Sequence, residues 1–125
     1  MTVDLIIYGG FVVTMEGRGT GIIPDGAVAI QGNTIAAVGS TAEIMGQYSA
    51  HRTIDAKNKA VLPGLVDTHI HTSNAIVRGC SQDINKWMYS GILPLLSLAK
   101  TEDLTAGSML NIIEAVKKGT TTLCD

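Results

Sequence analysis

The chain has 125 residues, of which 46% are hydrophobic and only 16% are charged, and its formal net charge is −2. This composition excludes general disorder, and the slightly acidic balance argues against a nucleic-acid-binding protein. A chain of this length holds one domain, or one domain and a part of another. Because so few residues are charged, we expect some apolar surface to be covered by a partner or by further sequence.

Residues 1–60 are predicted to form a small β-rich module. Gly9 and Gly10 are expected to turn the chain between two short strands, and residues 16–26 are expected to form a loop. The turn residues 31–33, Gln-Gly-Asn, predict a hairpin, because Gly and Asn tolerate the positive φ of a tight turn. The predicted strands are residues 3–8, 11–15, 27–30, 34–38, 52–55 and 60–62.

One short helix is predicted inside this module. Ser40 and Glu43 have the spacing of a capping box, in which each side chain bonds the backbone of the other residue. We therefore expect a helix over residues 41–47.

Residues 61–125 follow a different pattern and are predicted to form the first βαβ unit of an α/β domain. Residues 65–71 are expected to form a strand, residues 72–100 an irregular or partly helical excursion, and residues 120–124 a second strand. A strand, a crossover and a strand predict parallel pairing. Since two parallel strands cannot cover both of their faces, we expect a larger sheet or barrel that continues beyond this chain.

The crossover is predicted to contain one long helix. Thr101 is expected to cap its start, and Gly119 follows its last turn as the C-terminal cap. Apolar residues recur along it at helical spacing. This predicted apolar stripe consists of Met109, Ile112, Ile113 and Val116.

The chemically informative motif is His69-Ile70-His71. In a strand, residues two apart point to the same face, so the two imidazoles are expected to lie side by side. Imidazole is a ligand for zinc and also for iron, nickel or copper. The motif is expected at the C-terminal end of its strand, where parallel α/β folds build their sites. A bare His-x-His also occurs by chance, and a catalytic zinc site needs at least one further protein ligand.

Several stretches in the same order resemble the amidohydrolase superfamily, within it the cytosolic aminohydrolases that include triazine hydrolases, methylthioadenosine/S-adenosylhomocysteine deaminases and guanine deaminases. Residues 60–71, AVLPGLVDTHIH, resemble the superfamily's signature, and residues 118–122, KGTTT, resemble its second barrel strand. The resemblance extends over essentially the whole chain. Its other parts are DLIIYGGFVVTM, AVAIQGNTIAAVG, TIDAKNKAVLPG, Arg78-Gly79, Trp87 and Leu93-Pro94.

The resemblance implies strands 1 and 2 of a (β/α)8 TIM-type barrel, preceded by a small β-sandwich module. It implies that His69 and His71 are metal ligands for zinc, with iron as an alternative, and that a complete polypeptide holds one ion. The implied reaction is hydrolytic deamination of a purine-, pyrimidine- or triazine-type heterocycle. In such a reaction zinc lowers the pKa of bound water towards ~7, which generates the hydroxide that attacks the ring. No catalytic acid or base is expected in this portion, and a barrel of ~250 residues is needed for activity, so this chain alone is expected to be inactive.

Three further residues are candidates for the site. Trp87 is expected either to supply a stacking surface for the substrate or to anchor the first loop. Asp67 precedes the histidines and is either structural or a support for a ligand, and Asp125 resembles an acid that orients a ligand in the family. Leu96 stands where nucleoside-specific relatives carry an acid for the ribose hydroxyls. Because leucine cannot accept a hydrogen bond, the sequence favours a less sugar-like substrate.

The expected partners are a small heterocyclic substrate and either the remainder of the barrel or a second copy of the chain, with no nucleic acid and no membrane. The only two cysteines, Cys80 and Cys124, are expected to be free and buried in a cytoplasmic protein. Two alternatives stay open. One is the same scaffold releasing chloride or an alkylamine or hydrolysing a ring amide, and the other is a small metal-binding or assembly module without catalysis.

Overall fold

The computed structural model of the protein describes residues 1–17 and 19–125, which divide into two compact units, Met1–Pro63 and Gly64–Asp125. In its described residues the first unit contains five strands and one helix, and the second unit contains two strands and a helical excursion between them. Each unit has its own sheet.

The first unit is a mixed sheet of order β3-β2-β1-β4, with β5 also paired to β1. The pairs β1–β2 and β2–β3 are antiparallel, whereas β4 and β5 run parallel to β1. The β-rich module is therefore present, and among the described residues the layer opposite its single sheet is the helix α1 (Thr41–Gln47). The strands are β1 (Thr2–Val13), β2 (Ile22–Gln31), β3 (Thr34–Ser40), β4 (Ser49–Asp55) and β5 (Ala60–Val61).

The predicted hairpin is confirmed, but two boundaries in this unit were wrong. The glycine pair does not turn the chain, because β1 runs on through it with register shifts around Gly10. A Cβ at Gly10 would lie 2.9 Å from the Cβ of Ala56 and 3.0 Å from the carbonyl oxygen of Lys59. This glycine therefore permits a close approach of two backbones within a strand. The expected loop is also shorter, because Ile22 already pairs with Val13.

The core of this unit lies between the sheet and α1 (Thr41–Gln47), whose predicted bounds are confirmed. The capping box is present: the Ser40 hydroxyl accepts from the Glu43 N–H at 3.2 Å, and the Glu43 carboxylate accepts from the Ser40 N–H at 2.9 Å. The helix places Ile44 on the sheet. The buried cluster consists of Val3, Ile6, Ala27, Ala29 and Ile44.

The second unit is the predicted βαβ arrangement. Strand β6 (Leu65–Asp67) pairs in parallel with β7 (Thr120–Leu123). The excursion between them begins with a 3-10 helix and a turn of π-helix and continues with two α-helices. These elements are the 3-10 helix Thr72–Val77, the π-helical turn Met88–Ile92, α2 (Leu93–Leu98) and α3 (Thr101–Lys117).

Helix α3 forms where the sequence predicts it, with two differences. Its N-cap is Lys100, and the Asp103 carboxylate accepts from the Lys100 N–H at 2.9 Å, so Thr101 is the first helical residue. Gly119 has φ +90°, as its C-terminal role requires. The apolar stripe (Met109, Ile112, Ile113 and Val116) is 39–65% exposed, so the described residues leave this face uncovered.

Both cysteines are free, as predicted, but they are exposed rather than buried. Cys80 follows the 3-10 helix, and Cys124 follows β7. Among residues 1–17 and 19–125, no helix combines the length and the apolar character needed to cross a membrane.

Candidate metal centre

The two histidines lie in the segment that follows β6, and not inside the strand. The strand ends at Asp67, four residues earlier than predicted. Asp67 Oδ1 accepts from the His69 backbone N–H at 3.2 Å, which curls the chain out of the extended conformation. The segment nevertheless stays attached to the end of β7, because Ile70 N donates to Cys124 O at 3.1 Å and Cys124 N donates to Asp67 O at 2.9 Å.

The imidazole rings of His69 and His71 are neighbours. Their centroids are 4.9 Å apart and their planes meet at 77°. Both residues are exposed, and both line the same cavity. The side-by-side placement expected of a strand is therefore reached by a curled segment instead.

This spacing suits a shared zinc ion. In a tetrahedral site a ring centroid lies ~3.2 Å from the ion, since the Zn–N bond is ~2.1 Å and the ring adds ~1.1 Å, so two such rings lie ~5.2 Å apart. The observed 4.9 Å is close to that separation. Within residues 1–17 and 19–125, however, no group of three or more His, Cys, Asp or Glu side chains is arranged to hold a metal ion. The described residues thus fit two ligands of a zinc site that needs at least one more.

An open cavity of about 480 Å³ adjoins the two rings. This volume is in the range of small-molecule sites, which are mostly apolar with a few polar groups that fix orientation. Trp87 is 52% exposed and lines the cavity, so its indole presents a surface to it. The polar or aromatic groups around the cavity are His69, His71, Asn74, Arg78, Ser81, Gln82 and Trp87.

Asp125 is held in place by Thr72. The Thr72 hydroxyl donates to Asp125 Oδ2 at 2.5 Å, and the Thr72 backbone N–H donates to Oδ1 at 3.1 Å. The hydrogen bond from the Thr72 hydroxyl is the largest cause that holds the pKa of Asp125 below its ordinary value, and the bond from the Thr72 backbone N–H is the next largest. The nearby His71 acts weakly in the same direction. Thr72 directly follows His71, so this acid fixes the backbone next to an expected ligand.

Sequence reasoning missed the side chains of α3 that touch the histidine segment. Ser108 Oγ lies 3.2 Å from Thr72 Oγ1, and Asn111 Nδ2 donates to Thr72 O at 2.6 Å. The available signal was the spacing of these polar residues along a helix whose other face is apolar.

Comparison with known proteins agrees with the resemblance. Residues 60–125 match the amidohydrolase family, and residues 26–48 match a bacterial imidazolonepropionase-like composite domain. A 5-methylthioadenosine/S-adenosylhomocysteine deaminase of Pelotomaculum thermopropionicum is 35% identical over 98% of this chain and 28% of its own length. A 5'-deoxyadenosine deaminase of Methanosarcina acetivorans is 34% identical over the same shares. The chain thus spans just over a quarter of these curated relatives.

Solved structures give the same result. The crystal structure of an adenosine deaminase from Xanthomonas campestris with bound zinc superposes with a TM-score of 0.88 at 31% identity, covering 98% of this chain and 28% of that one. An atrazine chlorohydrolase from Arthrobacter aurescens, complexed with zinc, gives 0.78 at 21% identity, covering 95% and 28%, and shows the fold alone.

These similarities confirm the predicted fold class, the N-terminal portion of an amidohydrolase barrel with its β-rich module. The amidohydrolase match over residues 60–125 takes in more than half of the 125 residues, and the chain belongs to the amidohydrolase family.

Proposed function

We propose that this chain supplies the first two metal ligands, His69 and His71, of a zinc-dependent aminohydrolase that deaminates a nitrogen heterocycle. The observation that carries the proposal is the pair of imidazole rings with centroids 4.9 Å apart beside an open cavity. The relatives support it, because the two curated relatives are deaminases and because the solved adenosine deaminase holds zinc.

The chain's own residues have distinct tasks in this proposal. His69 and His71 donate ring nitrogens, and Trp87 offers an aromatic surface against which a flat ring stacks. The chemistry that zinc supplies at such a site is the acidification of water, whose pKa falls towards ~7. We expect the remaining ligands and the general acid/base on segments that correspond to the rest of the relatives' length. Because such a site needs them, the chain alone is expected to be inactive.

Leu96 narrows the class of substrates that we propose. It is half-buried on α2 and has no group that accepts a hydrogen bond from a sugar hydroxyl. We therefore expect amines of a bare purine, pyrimidine or triazine to be better substrates than the corresponding nucleosides.

Both cysteines are free thiols, which is consistent with a cytoplasmic enzyme.

Metal content and product release test the proposal in the complete polypeptide. We expect the wild type to retain one zinc ion, and His69→Ala and His71→Ala each to lose zinc and ammonia release together. His51→Ala is the matched control, since His51 is also exposed but lies on β4 in the first unit. Full zinc retention by both ligand variants would contradict the proposal. Release of chloride or alkylamine without ammonia would replace deamination with another leaving group.

A panel of ring amines and their nucleosides tests the role of Leu96. We expect the bare amines to give the higher kcat/KM, and Leu96→Glu to shift the preference towards the nucleosides. Nucleosides preferred by the wild type would refute the argument from Leu96 and leave the zinc site untouched.

A further inference from the structure

One face of α3 holds the segment that carries the histidines. Gly107, Ser108, Asn111 and Glu114 lie within about two turns of this helix, and all four contact the 3-10 helix or the residue that follows it. At Gly107 the approach is closest, because a Cβ there would lie 2.7 Å from the Ser73 carbonyl oxygen. The polar face of the helix therefore packs directly against the backbone that follows His71.

Asn111 makes the most specific of these contacts. Its Nδ2 donates to Thr72 O at 2.6 Å and lies 3.5 Å from His71 O, while its Oδ1 accepts from an Arg78 guanidinium nitrogen at 2.5 Å. A guanidinium only donates and a carbonyl only accepts, so the amide has a single orientation that satisfies all of these partners. Arg78 is itself held by Glu114, at 3.0 Å.

Thr72, whose carbonyl oxygen accepts from Asn111, is also held through its side chain. Thr72 is 6% exposed, and its hydroxyl donates to Asp125 and contacts Ser108, while its carbonyl accepts from Asn111. The backbone directly after His71 is thus held by α3 and by Asp125, the second residue after β7. Asn111 Nδ2 also lies 3.5 Å from the carbonyl oxygen of His71, which in addition accepts from the Asn74 backbone N–H at 3.1 Å.

We propose that Asn111 is a positioning residue, which fixes the backbone of His71 and Thr72 so that the His71 ring stays at the distance from His69 that a shared metal ion needs. This inference rests on the proposed zinc site. The amide acts through the backbone and touches neither substrate nor metal. An aspartate at this position keeps the size and the acceptor for Arg78, but it places a carboxylate against two carbonyl oxygens and donates nothing.

Two measurements on the complete polypeptide test this inference. Competition with a chelator gives its zinc affinity, and the urea midpoint of the metal-free protein gives its stability. Loss of a group that orients a metal ligand typically weakens metal binding by ~10–100-fold, and we expect this for Asn111→Asp. Asn111→Ala removes the donor without adding charge and is expected to weaken binding at least several-fold, which keeps the test decisive if the aspartate variant does not fold.

Two controls separate positioning from general destabilisation. Glu114→Gln loses an ion pair between side chains that are 53% and 48% exposed, and we expect zinc affinity within twofold of wild type. Gly119→Ala strains the positive φ at the far end of α3 and is expected to lower the urea midpoint without changing zinc affinity. Zinc affinity within twofold of wild type in the folded Asn111 variants overturns the inference, provided that His69→Ala abolishes binding. If His69→Ala binds zinc normally, the zinc site itself is overturned.

Discussion

Replacing Gly107 with alanine tests how tightly the histidine segment is packed against α3. The new Cβ would lie 2.7 Å from the carbonyl oxygen of Ser73 and 2.9 Å from Cγ2 of Ile76. Contacts this short are not tolerated, and the nearest atom belongs to the backbone and not to a flexible side chain. The segment that follows His71 must therefore move away from the helix.

Two effects of opposite sign decide the stability of this variant. Alanine in a helix interior stabilises by ~1 kcal/mol relative to glycine, because it restricts the unfolded chain. Forcing an extra methyl group into a packed contact typically costs ~1–3 kcal/mol. The free energy of unfolding of Gly107→Ala is therefore expected to fall by ~0–2 kcal/mol, and the displacement of the segment is expected to weaken zinc binding.

Gly46→Ala is the matched control, because Gly46 lies in α1 and a Cβ there meets nothing within 4 Å. Only the helix preference acts at this residue, so its free energy of unfolding is expected to rise by up to ~1 kcal/mol. Urea unfolding compares the two variants, and chelator competition follows zinc. A Gly107→Ala protein that is stabilised as much as Gly46→Ala, with unchanged zinc affinity, would refute the close packing of this segment on α3.

Three further predictions concern the first unit, and urea unfolding measures each of them. Ser40→Ala removes the N-terminal cap of α1 and should cost ~1 kcal/mol, whereas an unchanged midpoint would mean that the cap does not stabilise the helix. Backbone and side-chain bonds from Ser40 lower the pKa of Glu43, so its stabilising contribution is present above the ordinary carboxylate pKa and is lost as the pH falls through the lowered pKa. The free energy of unfolding of Glu43→Gln should therefore fall less on acidification than that of the wild type. An equal fall in the variant and the wild type would contradict this role of Glu43. Ile6→Ala empties a core position that is 1% exposed and should cost ~2–5 kcal/mol, while a loss below ~1 kcal/mol would show that the core closes around the gap.

Local signals in the sequence predicted the elements whose cause is local. The capping box of α1, the Gly32 turn and the C-terminal glycine of α3 each depend on residues within one turn of the chain. The signature around His69 and His71 predicted the candidate ligands for the same reason, since two residues apart in sequence are close in almost any conformation.

Features that depend on distant residues could not be predicted in this way. Gly10 is a point of close approach because Ala56 and Lys59 pass beside it, and no nearby residue indicates this. The early end of β6 was missed for another reason: its cause, the Asp67 side chain, is local, but it lies in a run of residues that favours a strand. The contacts of Thr72 with Asp125 and Ser108 join residues 53 and 36 positions apart.

These distant contacts matter for metal binding because they order the ligand segment in advance. Ordering a free segment as long as residues 67–72 costs ~1–2 kcal/mol per residue, or ~6–12 kcal/mol in all. A structural zinc ion contributes ~10–16 kcal/mol to binding, so an unanchored segment would consume much of that free energy. Here the backbone is already fixed at Asp67, Ile70 and Thr72 by hydrogen bonds that need no metal. The affinity of the complete site for zinc should therefore depend on the packing of α3 as well as on the two imidazoles.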